Sequence, residues 1–155
     1  MADPLLDQAN AAAAEGLAFM RDFKEAKGGE IIAVPPGGCT ARFHLELAYR
    51  LQARLTVPCA HLSPGAPQPM YWVPWDPEVV GCRACHDVAN ANITGTLEDD
   101  RCDGCGAYPG RDQLYAVASQ LTGGGYFPHL RAATGPVTIH FGLCPDCYAK
   151  EIPGD

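Results

Sequence analysis

Apolar runs long enough to cross a bilayer are missing from this chain. No stretch approaches the roughly 20 consecutive apolar residues that a membrane helix needs. No membrane role is expected on that ground. The basic n-region of a secretory signal is missing too, because residues 1–29 carry acids from Asp3 onward. The expectation is a cytoplasmic protein whose thiols stay reduced and form few disulfides. Positive charge is scarce. Eleven Lys and Arg face eighteen Asp and Glu, for a net charge of −7. Nucleic-acid affinity rests on cationic side chains neutralising phosphates, so this balance disfavours nucleic acid as a partner. Only residues 31–60 are mildly basic, through Arg42, Arg50 and Arg54. No P-loop, Ser-His-Asp pattern or carboxylate cluster stands out.

What is present is cysteine. The 155 residues contain eight, and six of them form three C-x-x-C pairs: Cys82/Cys85, Cys102/Cys105 and Cys144/Cys147. In a reduced compartment such spacing points to metal first. Zinc takes four tetrahedral ligands, and a C-x-x-C turn supplies two. Three pairs leave one half-site to find, and Cys59-Ala60-His61 is the candidate. With it, eight ligands suit two Zn²⁺ ions: Cys59, His61, Cys82, Cys85, Cys102, Cys105, Cys144 and Cys147. Two pairings compete. One joins Cys82/Cys85 to Cys102/Cys105, whose separation matches the usual double C-x-x-C. The other joins sequential half-sites, Cys59/His61 with Cys82/Cys85 and Cys102/Cys105 with Cys144/Cys147. The second is preferred on local grounds. Cys105 is followed by Gly106, which can take the positive φ of a knuckle turn. Cys82/Cys85 and Cys144/Cys147 run into helix-compatible sequence, where a helix N-terminus favours thiolates. Spacing alone does not exclude the first.

GCRACHD (81–87) also permits other chemistries. Cys82, Cys85 and His86 match a c-type haem tag, but leave the other pairs unexplained. His86 competes with His61 as fourth ligand, although adjacent Cys85 and His86 fit one tetrahedral ion poorly. A dithiol redox pair suits one C-x-x-C in a βαβ setting, not three. His44-Leu45-Glu46 with Cys82/Cys85 matches a zinc-deaminase pattern, with Glu46 as acid/base, but Gly81 stands where that pattern has Pro. Cys39, after PPGG, is either a nucleophile at a helix start or a buried free thiol. Tyr71, Trp72, Pro74 and Trp75 form either an exposed recognition patch or packing over the first zinc site.

Local patterns complete the reading. Residues 4–27 read as a helix, with Asp3 as N-cap, Pro4 at the first position, Asp7 in the first turn, and Lys24 and Lys27 in the last. Leu6, Ala13, Leu17 and Met20 mark its apolar face, packed on the chain itself or serving as a docking arm. Residues 31–38 suggest a strand and turn. Residues 40–58 fit a long alternating strand or a helix with Arg42, Glu46, Arg50 and Arg54 on one side. Strands are expected at 70–75, 112–121 and 137–143, helices at 81–93 and 144–152, and an acidic linker at 94–101. Residues 122–136 read as a long loop.

Around RCDGCG and LCPDCYAK, residues 101–152 resemble zinc-ribbon and treble-clef domains. Residues 57–93 do so with C-x-H replacing the knuckle. The whole is similar to small zinc-ribbon proteins of actinobacteria and their phages. The resemblance implies an α+β fold of tandem zinc-ribbon or treble-clef-like units with an N-terminal helix. The expected segments are a helical arm (1–30), a first zinc-binding unit (31–98) and a second (99–155). The expected function is a non-catalytic adaptor with a protein partner and oligomerisation through the N-terminal helix. Alternatives are a phage structural or assembly protein, located in the virion, a nucleic-acid-binding regulator, and a deaminase-like enzyme.

Overall fold

Pro4 opens the first helix and Asp7 lies in its first turn, where a carboxylate meets the positive end of the dipole. The structure is a computed structural model. It describes residues 4–27, 29–32, 38–62, 66–121 and 136–151, with backbone only for 5, 6, 23–27 and 29–32. Most of the 122–136 loop, the 33–37 turn and the side chains of Leu6, Lys24 and Lys27 lie outside the described residues.

The elements run α1 (Pro4–Lys27), β1 (Gly29–Ile32), α2 (Gly38–Gln52), β2 (Val57–Pro58), β3 (Met70–Trp72), β4 (Val79–Val80), α3 (Arg83–Ile93), β5 (Tyr115–Leu121), β6 (Val137–Leu143) and α4 (Pro145–Glu151). Single 3₁₀ turns sit at Leu97–Asp100 and Arg111–Gln113. A four-stranded sheet has the order β1-β5-β6-β3. Its central pair is antiparallel, with Val117 opposite Phe141, and β1 and β3 join parallel on the two edges. The fold is α+β.

Both faces of the sheet carry a helix, so β3, β5 and β6 are buried almost throughout. On one face, Trp72, Val117, Ile139, Phe141 and Leu143 meet Phe43, Leu47 and Leu51 of α2. On the other, Tyr71 and Ala118 meet Met20 of α1. Ala9, Ala12 and Ala13 are buried on α1, and Ala13 C=O accepts a bond from Gln120 Nε2 at 2.9 Å. The described part of the apolar face of α1 therefore packs on the chain's own sheet. Leu17 is only half-buried beside it.

Residues 38–52 are helical. Burial of Phe43, Leu47 and Leu51 at i, i+4, i+8 overrides the period-2 alternation, leaving Leu45 and Tyr49 exposed at 72 % and 65 %. Arg50 pairs with Glu46 at 3.3 Å on the same helix. Arg54 does not share that side. It lies beyond the helix end at φ 58°, in the left-handed region.

One buried carboxylate starts α2. Gly38 has no capping side chain, and Glu151 of α4 takes that role from 111 residues away. Its Oε1 accepts from Cys39 N–H at 2.6 Å, and its Oε2 accepts from Thr40 Oγ1 at 2.7 Å. Gly38 is at φ +64°, and a Cβ there would lie 2.6 Å from Glu151 Oε1, so only glycine fits.

The sheet crosses the expected boundaries at 30/31 and 98/99. It takes β1, β3 and the β5–β6 pair from all three segments, so these share one sheet. The tandem repeat is also unequal. Between Cys105 and Cys144 lies the antiparallel β5–β6 pair. Between His61 and Cys82 the described residues hold no such pair: β4 runs parallel to β2, and β3 joins the main sheet. A single antiparallel bridge, Tyr71 to Gly81, ties β3 to the strand leading into the Cys82 turn.

Candidate metal centres

Two four-residue clusters form. Cys59, His61, Cys82 and Cys85 make one, and Cys102, Cys105, Cys144 and Cys147 make the other. Within each, all four donor atoms lie within 4.8 Å of one another. This is the sequential pairing; Cys82/Cys85 and Cys102/Cys105 belong to different clusters.

The second cluster is built by a turn and a helix start. Cys102 N–H donates to Ala107 C=O at 2.7 Å and Gly106 N–H to Cys102 C=O at 2.9 Å. Gly106 takes φ +79°, as the C-x-x-C-G turn requires. Across from it, Cys144 follows β6 and Pro145 opens α4, placing Cys147 in the first turn. In the first cluster, Cys59 follows β2, and Cys82 is the N-cap of α3 with Cys85 in its first turn. The clusters share one detail. Cys82 N–H points at Cys59 Sγ (3.4 Å), and Cys144 N–H points at Cys102 Sγ (3.2 Å). The helix-start cysteine in each donates its amide to the first cysteine of the cluster.

The spacing fits a tetrahedral ion. Sulfurs bound at about 2.3 Å around one zinc lie about 3.8 Å apart. Cys105 Sγ and Cys144 Sγ are 3.9 Å apart. His61 Nδ1 is 3.7 Å from Cys82 Sγ and 3.3 Å from Cys85 Sγ, so Nδ1 is the nitrogen that faces the cluster. A disulfide needs sulfurs at about 2.05 Å, and all eight cysteines are free.

No family model, curated protein or solved structure matches the chain.

The chemistry of the clusters calls for a cation. Burial opposes ionisation of Cys59, but the amides of Cys82 and His61 outweigh it and hold the thiol down to about 7. Burial together with Cys59 and Cys82 pushes Cys85 up to about 12. In the second cluster burial likewise opposes ionisation of Cys102, yet the amides of Cys144, Cys105 and Gly104 hold it below its ordinary value. Cys147 is raised, by burial first and then by bonds to its neighbouring cysteines. In each cluster one thiol is held below its ordinary value while a neighbour is pushed above it. A divalent cation resolves that conflict, and thiolate plus imidazole are the donors zinc prefers.

The competing constellations do not assemble. His44 Nε2 contacts Ser119 Oγ at 2.8 Å, in the core between α2 and β5, and His44 and Glu46 are absent from the Cys82/Cys85 cluster. His86 turns away from its neighbouring cysteines and contacts His140 Nδ1 through Nε2 at 3.1 Å. It is 3 % exposed and neither a ligand nor a haem partner in this arrangement. Tyr71 and Trp72 are buried, with Trp72 Nε1 donating to Pro77 C=O at 3.0 Å, so they form no exposed patch. The Tyr71 and His86 rings pack 4.9 Å apart behind the first cluster. Cys39 is half-buried against the second cluster: a Cβ on Gly104 would lie 2.7 Å from its Sγ and 3.2 Å from that of Cys147. Burial and the Glu151 carboxylate raise its thiol, which makes it a poor nucleophile at neutral pH.

Three important residues gave no signal in the sequence: Glu151, Asp103 and His140. Each is placed by a partner distant in the chain.

The His86–His140 pair makes stability depend on pH. Burial holds His86 down to about 4, and burial with the His86 charge holds His140 down to about 3. The unfolded chain takes up these protons near the ordinary value of about 6.5. The pair's contribution is therefore complete above about 6.5 and drains as pH falls toward 4. Urea titrations from about pH 6.5 to 5 should show a shallower loss of stability in a His86→Phe, His140→Leu double variant than in the parent. An unchanged slope would remove the pair as the cause.

Proposed function

We propose that this chain is a non-catalytic, zinc-stabilised adaptor that binds another protein. The observation that carries this reading is the closure of both clusters. Each brings four donors together, Cys₃His and Cys₄, and four protein ligands complete a tetrahedral zinc. Catalytic zinc keeps one position for water or substrate. Residues 101–151 follow the knuckle, hairpin and helix order of a treble-clef or zinc-ribbon unit. Residues 57–93 keep the half-sites without the hairpin.

Charge and surface support a protein partner. Loaded with zinc, the two sites carry about −1 and about −2, on a chain already at −7. Leu45 and Tyr49, one helical turn apart on α2, stand exposed where the core leaves them no room. No helix among the described residues is long and apolar enough to cross a membrane.

Metal analysis with X-ray absorption tests the carrying observation. The expected result is two zinc ions per chain in mixed S₃N and S₄ environments with no oxygen ligand. One zinc with a bound water would overturn it in favour of an enzyme. The adaptor role is read by capture from the native host with the parent and a Leu45→Asp, Tyr49→Asp variant. Equal recovery of partners by both would place the interface elsewhere or nowhere.

A further inference from the structure

Gly142 is a glycine without a structural reason. It lies inside β6, where glycine weakens a strand. It is not among the positive-φ residues. A Cβ built on it would meet only side-chain atoms in ordinary contact, Leu114 Cδ1 at 3.7 Å and Leu114 Cβ and Asp103 Oδ2 at 3.8 Å. A strand glycine with room for a side chain often marks the approach of a ligand. Here that room opens into a cavity of about 80 Å³ between the C-terminal half of α3, the knuckle and the β5–β6 face. A single water needs about 10–15 Å³ on this measure, so the cavity admits a group of several heavy atoms.

Its walls are aromatic and acidic. Trp75 lines it and is held in place, its Nε1 donating to Ala89 C=O at 3.1 Å. Tyr115 borders it from the strand, while its ring stacks on Tyr148 at 4.2 Å on the other face of the sheet. Two arginines reach the rim, and each has an acid of its own. Arg101 pairs with Glu98 and Arg111 with Asp99, both at 3.6 Å. The remaining acidic side chain is Asp103. Its backbone amide donates to Gly142 C=O at 2.9 Å, and its Oδ2 accepts from Gly142 N–H at 2.7 Å. This reciprocal pair fixes the carboxylate at the cavity wall. Arg101 and Arg111, the two cations of that wall, pair with other acids.

We propose that this cavity binds an organic cation of guanidinium or ammonium type, received by the Asp103 carboxylate and the ring of Trp75. A carboxylate beside a fixed aromatic ring is an arrangement that attracts such a group. The cation is a free small molecule or an arginine or lysine side chain of a partner. The site goes beyond the two-metal reading and leaves both metals in place.

The test uses the full zinc-loaded chain and calorimetric titration with N-acetylarginine amide. Its neutral isostere, N-acetylcitrulline amide, and inorganic phosphate serve as controls. The expected result is saturable binding of the arginine compound, at least about tenfold weaker binding of the citrulline compound, and none of phosphate. Asp103→Asn and Gly142→Val should each weaken binding at least about tenfold. Zinc content and far-UV circular dichroism, measured alongside, show that the fold persists. Gly142→Ala, which meets only ordinary contacts, provides a milder block should the valine disturb β6. A glycine- and serine-flanked arginine peptide that binds more tightly than the amide identifies a partner side chain as the source; equal affinity identifies a free molecule. Equal binding of arginine and citrulline compounds, preference for phosphate, or no binding with both zincs present would overturn the proposal without touching the metal sites.

Discussion

A Cys102→Ser chain is expected to lose the second metal and the cooperative unfolding transition with it, whereas Cys59→Ser loses only the first metal and keeps the sheet. The two clusters differ in where they sit. Cys102, Cys144 and Cys147 are 0 %, 7 % and 7 % exposed and belong to the same apolar cluster as Phe43, Val117 and Leu143. The ion there would hold the knuckle, β6 and α4 to the core. In the first cluster Cys59 and Cys85 are half-exposed and His61 is exposed. That ion would tie α3 to the 59–62 segment at the margin. Structural zinc contributes about 10–16 kcal/mol, against a net stability of about 5–15 kcal/mol for a whole domain. Loss at the core therefore exceeds what the fold can bear. Loss at the margin is expected to cost less, because the β5–β6 ladder and the bond from Gln120 to α1 are made by residues outside that cluster. Zinc content and urea melts followed by circular dichroism read both variants. Equal damage from the two substitutions would show that the sites are energetically equivalent and this asymmetry wrong.

Glu151→Ala should cost about 3 kcal/mol. The substitution strips the partners from Cys39 N–H, Thr40 N–H and Thr40 Oγ1 in a site where Glu151 is 1 % exposed. Buried groups left without partners cost about 1–3 kcal/mol each, and loss of a helix cap about 0.5–2 kcal/mol. These overlap, because the same amides are counted by both. Glu151→Gln keeps one acceptor oxygen and should lose roughly half as much. Urea midpoints at constant zinc measure the difference. A change within the ~0.5 kcal/mol usual for surface positions would mean that α2 starts without help from α4.

The candidate sites were more legible than the fold around them. C-x-x-C is a local device: its geometry comes from a four-residue turn, so the three pairs and the C-x-H half-site could be recognised from spacing. The choice between pairings was legible only in part. Gly106 and the helix-compatible runs after Cys85 and Cys147 favoured the sequential order, and the structure has it. Residues 40–58 were ambiguous because their apolar positions satisfy two periods at once. Only the sheet beneath, which accepts Phe43, Leu47 and Leu51 together, selects the helix. The sheet order was not legible because β3 pairs with β6 from far along the chain, and no local pattern encodes that pairing.

The sequence by itself determined that this is a cysteine-rich α+β chain with two sets of candidate metal ligands, most of its helices and strands, and the α1 start at Pro4. Those features depend on neighbours within a turn or two. The tertiary structure alone decided that one cluster is core and the other margin. It also decided that Glu151 caps a helix 111 residues away, that His86 faces His140 rather than a metal, and that Asp103 and Gly142 line a cavity beside the knuckle. Each of these rests on burial and on contacts between distant segments, and those exist only once the sheet has brought the segments together.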